Sequence, residues 1–199
     1  FYSDLKYNPD YTSVINQKHY DRLNGLLSDA KDHGAELVEI NPANEDFSQQ
    51  ESHKIPPTLV LNPTDEMQIM KEEIFGPLLP IKTYKDINEP INYINKNDKP
   101  LGLYYFGNNK NEEAKVVNST TSGGVTVNDI MGHIQQNELG FGGVGPSGMG
   151  KYDGFDGFMN FSNNKPIYKQ IGFGLDKLLD AIRPPYKGNI EDVLKKLLK

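Results

Sequence analysis

The chain has 199 residues, with 36% hydrophobic and 24% charged side chains and a net charge of −6. That length suits one domain with a sizeable core, or one domain and a tail, and the acidic balance argues against the basic stripe that nucleic-acid binding needs. There is no cysteine, so no disulfide, thiolate metal site or thiol nucleophile forms within the chain, and no apolar run approaches the roughly 20 residues that cross a bilayer.

The first expected element is a helix from Ser13 to His33, where Ile15, Tyr20, Leu23, Leu26, Leu27 and Ala30 form an apolar stripe at helical spacing. Thr12 or Ser13 would cap its start, and Gly34 would end it in the left-handed conformation. Strands are expected at Glu36 to Ile40, Pro57 to Leu61 and Leu78 to Tyr84, with the polar stretch from Asn41 to Pro56 as a loop. Ile87, Ile91 and Ile94 mark a helix that ends before Asn97. Leu101 to Phe106 is a nearly continuous apolar run between Pro100 and Gly107 and reads as a strand buried on both faces. Asn111 to Asn118 reads as a short helix and Gly124 to Asn128 as a strand. A strand pair is expected from Phe158 to Lys169, then two short amphipathic helices within Phe173 to Lys199, split by Arg183-Pro184-Pro185-Tyr186. Strands alternating with helices imply an α/β fold, a mainly parallel sheet covered by helices, followed here by the strand pair and a helical tail.

Four features carry possible chemistry. Glu72-Glu73-Ile74-Phe75-Gly76-Pro77 places an acidic pair and an aromatic before a Gly-Pro turn. It reads either as a strand-entry turn with Phe75 in the core or as a carboxylate and a ring at the edge of a parallel sheet, where ligands bind. The run from Gly140 to Gly150 contains a literal G-x-G-x-x-G at Gly143, Gly145 and Gly148. A dinucleotide fingerprint needs a strand before it and a helix after it. Pro146 interrupts the turn, and Lys151-Tyr152-Asp153-Gly154 does not open an apolar helix, so the run reads as a loop of close backbone approach. His19, His33, His53 and His133 lie too far apart in sequence for a zinc-spaced pair. His19 and His33 read as helix-surface residues, and His133 as either near a pocket or exposed. Ile190, Val193, Leu194, Leu197 and Leu198 oppose Lys195, Lys196 and Lys199. That helix would dock on its own domain or a partner subunit, with a membrane surface as the lesser alternative.

No signal peptide is visible, the sequons at Asn118 and Asn160 match by chance, and Phe1 reads as the interior of a longer polypeptide. Lack of cysteine points weakly to a reducing compartment.

Three stretches together resemble the aldehyde dehydrogenases: Pro57-Thr58-Leu59 with Glu72 to Pro77, Thr121 to Asp129, and Phe141 to Gly150. Leu103-Tyr104-Tyr105-Phe106-Gly107 and Arg183 to Tyr186 are similar to the class-3-like branch. Asn8 to Ser13 and Lys54 to Thr58 resemble its coniferyl aldehyde dehydrogenases. The resemblance implies the three-layer αβα catalytic-domain fold over residues 1–157, without its N-terminal nucleophile segment, and an oligomerisation strand with a helical tail over 158–199.

It also implies a mechanism. A cysteine thiolate attacks the aldehyde, hydride passes to the nicotinamide of NAD or NADP, and water helped by a glutamate releases the acid. The nucleophile and that glutamate lie upstream of the matched region, so no catalytic residue is assigned here and the chain alone is expected to be inert, with weak or absent cofactor binding. Glu73 matches the glutamate that holds the nicotinamide-ribose hydroxyls, Phe75 the aromatic beside the nicotinamide, and Phe141 the aromatic lining the aldehyde pocket. Asn128 matches a residue of the strand under that pocket and is expected to be structural. Gly140 stands where relatives have proline, which is expected to loosen the turn before Phe141. The resemblance further implies a homodimer, an aromatic aldehyde substrate, a cytoplasmic location and no membrane partner. The alternative is an oligomerisation or binding module that reuses the fold without chemistry. A related acyl-phosphate reductase is a weaker option, against which the Glu72 to Pro77 hexapeptide argues.

Overall fold

The computed structural model describes residues 1–170, 183–185 and 190–198. The chain divides into two compact units, Phe1–Lys96 and Asn97–Lys199.

The first unit is built on helix α1 (Gln17–Asp32) and three strands, β1 (Glu36–Glu39), β2 (Thr58–Leu61) and β3 (Leu78–Ile81). The cap of α1 is Asn16, whose side chain accepts from the His19 amide at 3.0 Å, rather than Thr12 or Ser13. Ile15 therefore lies outside the helix and is exposed. At the other end Gly34 has φ +89°, and the amides of Gly34 and Ala35 return to Lys31 and Ala30 at 3.0 and 2.9 Å, closing a Schellman motif. The stripe on α1 buries Leu23, Leu26 and Ala30 against Ile55, Val60, Met67 and Leu78. β2 lies in the middle of the sheet, antiparallel to β1 and parallel to β3. Pro80 opposes Val60 in the register, and β3 is an edge strand of this sheet, where a missing amide is tolerated. A 3₁₀ turn at Gln68–Met70 and helix α2 (Asn88–Lys96) complete the unit. The segment before α1 is stapled down twice. Glu45 accepts from the Leu5 amide at 2.6 Å, and the buried Lys54 ammonium donates to the carbonyls of Leu5 and Asn8 at 3.1 and 2.6 Å.

In the second unit β4 (Gly102–Tyr105) and β5 (Gly124–Val127) pair in parallel, joined through helix α3 (Lys110–Ser119). Asn109 caps α3 by accepting from the amides of Asn111 and Glu112 at 3.1 and 3.3 Å. β4 alternates rather than burying both faces: Leu103 and Tyr105 are buried, while Tyr104 and Phe106 are exposed.

No strand pair forms between Phe158 and Lys169. Helix α4 (Gly154–Asn160) takes its first part, with Phe155 and Phe158 one turn apart and their rings 6.4 Å apart. Gly157 packs against the Tyr152 backbone, and the segment that follows finds no ladder partner among the described residues. Helix α5 (Ile190–Leu197) bears out the second tail helix, with Glu191 and Asp192 in its first turn and Lys195 and Lys196 in its last, as the helix dipole favours. The first expected tail helix lies outside the described residues. Among the described residues, no helix is long and apolar enough to cross a membrane.

Candidate functional site

The loop from Glu72 to Pro77 leads into β3 and is held from α1. The Arg22 guanidinium donates to the carbonyls of Glu73 and Ile74 at 3.0 and 2.5 Å and to the Glu72 carboxylate at 3.3 Å. With the backbone fixed in this way, Phe75 adopts φ +49°, a left-handed conformation that bulky residues rarely take. Its ring is 73% exposed, so the core position allowed by the sequence is not the one it takes. Gly76 comes next because nothing larger fits: a Cβ there would sit 2.5 Å from Cδ1 of fully buried Leu23. Glu73 is exposed, and its carboxylate has no hydrogen-bond partner among the described residues. Glu73 and Phe75 are thus presented outward from one short, clamped loop.

Beside this loop runs a mainly apolar groove of about 500 Å³, walled by Phe75, Gly76 and Pro77 and by the segment from Asp10 to Ile15. Tyr11 forms part of its floor and donates to the Ile55 carbonyl at 2.6 Å. Burial, and secondarily the charge of Tyr2, push the Tyr11 phenol up to about 12.

In the second unit, Phe141 and Tyr152 exchange both backbone hydrogen bonds, at 2.7 and 2.9 Å, and their rings meet edge to face at 5.3 Å. A Cβ on Gly140 would collide with the Asp156 side chain on α4, so glycine permits this close approach. The glycine run folds back on itself through a bridge between Gly145 and Gly148. A helix does begin at Gly154, but no strand precedes the run: β5 ends at Val127. The strand–turn–helix of a dinucleotide fingerprint is therefore not built here.

Asn128 closes the end of β5. At φ +56° its side chain accepts from the Gly107 amide at 2.8 Å and donates to the Gly107 carbonyl at 3.0 Å, which ties β5 to the end of β4. His133 is half-buried. Its Nδ1 lies 2.6 Å from the Thr126 hydroxyl, and its ring lies between those of Tyr104 and Phe141 at 5.9 and 6.2 Å. Sequence reasoning missed Arg22 as a clamp and the grouping of Tyr104, Thr126 and His133. No local spacing announces either, because both depend on which strands and loops pair.

The chain matches the aldehyde dehydrogenase family over residues 3–167. It is 52% identical to a probable coniferyl aldehyde dehydrogenase of Caulobacter vibrioides over 194 residues, 98% of this chain and 40% of that protein. It is 48% identical to a coniferyl aldehyde dehydrogenase of a Pseudomonas species, over 99% of this chain and 40% of that protein. A substrate-bound structure of Staphylococcus aureus AldH aligns with a TM-score of 0.69 at 36% identity, over 97% of this chain and 40% of that one. The chain therefore spans about 40% of the length of the curated relatives it matches. Its mixed α/β architecture is of the aldehyde dehydrogenase catalytic-domain type, and the chain belongs to the aldehyde dehydrogenase family.

Proposed function

We propose that this chain supplies the cofactor-ribose loop and one wall of the aldehyde pocket of an NAD(P)-dependent aldehyde dehydrogenase that converts aromatic, coniferyl-type aldehydes to acids. The observation that carries the reading is the clamped loop. Arg22 holds a backbone on which Glu73 and a left-handed Phe75 both face outward. Strain of this kind, roughly 1–3 kcal/mol, persists where surrounding structure enforces it and clusters at binding sites. An unpartnered carboxylate accepts hydrogen bonds from two vicinal ribose hydroxyls, and an exposed aromatic face beside it offers a flat apolar surface to a nicotinamide. These residues fit the cofactor, which when bound supplies the hydride acceptor.

Glu73 then orients the ribose, Phe75 limits where the nicotinamide ring lies, and Phe141 presents an apolar wall to the aldehyde. The thiol nucleophile and the glutamate base come from the part of the intact enzyme outside this chain, which has no cysteine. The cytoplasm is the compartment that suits a thiol enzyme. We assign residues 1–157 to the catalytic domain and 158–199 to assembly. Phe155, Phe158, Phe161, Ile167 and Tyr168 are all strongly exposed, which suits pairing with a second copy of the enzyme.

The test is nicotinamide reduction with coniferyl aldehyde and NAD or NADP. The intact enzyme turns over and the 199-residue chain alone does not. Turnover by the chain alone, surviving controls for contamination, would remove the mechanism from this reading.

A further inference from the structure

His133 sits where nothing about packing requires a histidine. Its ring lies in a slot formed by Gly102 and Gly124, which oppose each other at the start of the parallel pair β4 and β5. A Cβ on Gly124 would fall 3.0 Å from Nε2 and closer still to Cδ2, so the slot exists only because glycine stands there. Thr126, two residues along β5, anchors the ring. Its hydroxyl oxygen accepts from the His133 amide at 3.1 Å and lies 2.6 Å from Nδ1. Nε2 is buried without a hydrogen-bond partner among the described residues. Leaving a buried polar nitrogen unpaired costs roughly 1–3 kcal/mol. A phenylalanine would fill the slot without that cost, so the histidine earns its place by the anchor to Thr126.

The anchored ring is the second in a row of four. Tyr104 of β4 packs on His133 at 5.9 Å, His133 on Phe141 at 6.2 Å with the planes 34° apart, and Phe141 on Tyr152 at 5.3 Å. Phe141 is thus held from two sides. Tyr152 fixes it within the glycine-rich loop, and His133 fixes it to the sheet.

We propose that His133 is a positioning residue for aldehyde specificity: anchored by Thr126, it sets where the Phe141 ring stands and so which aldehydes the pocket accepts. This rests on the reading of Phe141 as a wall of the aldehyde pocket. The tilt of one ring face against another makes the wall discriminate most among flat, aromatic aldehydes and least among short aliphatic ones.

The experiment uses the intact enzyme with three variants, His133→Ala, His133→Phe and Thr126→Val, each checked for an unchanged circular dichroism spectrum. Two readouts are taken. The first is the fluorine resonance of 4-fluorophenylalanine placed at Phe141. The second is KM and kcat for coniferyl aldehyde, for propanal and for the cofactor. His133→Ala is expected to shift and broaden the fluorine resonance. It should raise KM for coniferyl aldehyde about three- to tenfold, with the propanal and cofactor KM values unchanged. His133→Phe, which keeps a ring and loses the anchor, and Thr126→Val, which keeps the histidine and loses the anchor, should each give a smaller shift of the same kind. An unmoved fluorine resonance in folded His133→Ala overturns the proposal, as does an equal rise in all three KM values. If the unmodified enzyme oxidises no aldehyde, the functional reading fails, while the fluorine resonance still decides whether His133 places Phe141.

Discussion

Gly76→Ala tests how tightly the loop from Glu72 to Pro77 is coupled to the core. The added methyl would sit 2.5 and 2.7 Å from Cδ1 and Cδ2 of Leu23 and 3.2 Å from its Cγ. Leu23 is fully buried in the cluster under α1 and has no open space into which to swing. Gly76 itself does not have a positive φ, so the damage is steric and not conformational. Overpacking of this kind costs about 1–3 kcal/mol. Urea unfolding of the 199-residue chain at low concentration, followed by circular dichroism, should show that loss as a lower midpoint at constant slope. Trimming the partner supplies the control. Leu23→Ala alone should cost about 2–5 kcal/mol. In the double variant the new methyl fills part of the space, so the two losses should fall short of additivity by about 1 kcal/mol or more. A Gly76→Ala change within about 0.5 kcal/mol of the unmodified chain, the range of ordinary surface substitutions, or strict additivity with Leu23→Ala, would refute the close approach of loop and core.

The remaining expectations follow from single contacts. Arg22→Met removes two charge-assisted bonds to carbonyls and a partly exposed ion pair. It should destabilise the first unit by about 1.5–3 kcal/mol and, on the proposed function, raise the cofactor KM of the intact enzyme more than the aldehyde KM. Equal stability in urea would contradict the clamp. Asn128→Ala loses both bonds to Gly107 at a left-handed position and should cost about 1–3 kcal/mol. Asn128→Gly should recover part of this by relieving the backbone, and no difference between the two would count against the assignment. Tyr11 has a folded-state pKa raised from 10.0 to about 12. The stability it contributes is complete below pH 10.0 and is lost as the pH rises through about 12. Ultraviolet titration should show one tyrosine ionising last, and Tyr11→Phe should abolish that step.

The periodic elements were legible in the sequence because their signals are local. The stripe on α1, the left-handed Gly34, and the five strands all arise from spacing and turn chemistry over a few residues. Asn16 is the cap in place of Thr12 and Ser13 because the Val14 amide is taken up by the His53 carbonyl, at 3.0 Å, and the helix begins only at Gln17. β4 read as doubly buried because its apolar run is continuous, yet burial depends on what lies over each face. Phe158 to Lys169 read as a strand pair because the pattern changes there, while Phe155 and Phe158 at helical spacing settled its beginning as helix. The outward setting of Phe75, the Arg22 clamp and the slot for His133 could not be read at all, since each joins residues that only the fold brings together. Glu73, Phe75 and Phe141 were reached through resemblance, because no local spacing singles them out.

The most direct test of the proposed role is the cofactor KM of Glu73→Gln in the intact enzyme, measured with coniferyl aldehyde and with both NAD and NADP. A neutral amide in place of the carboxylate weakens two charge-assisted hydrogen bonds to the ribose. The cofactor KM should therefore rise about ten- to a hundredfold, with the aldehyde KM little changed. A cofactor KM equal to that of the unmodified enzyme would mean that Glu73 does not hold the ribose, and the loop from Glu72 to Pro77 would lose its assigned function.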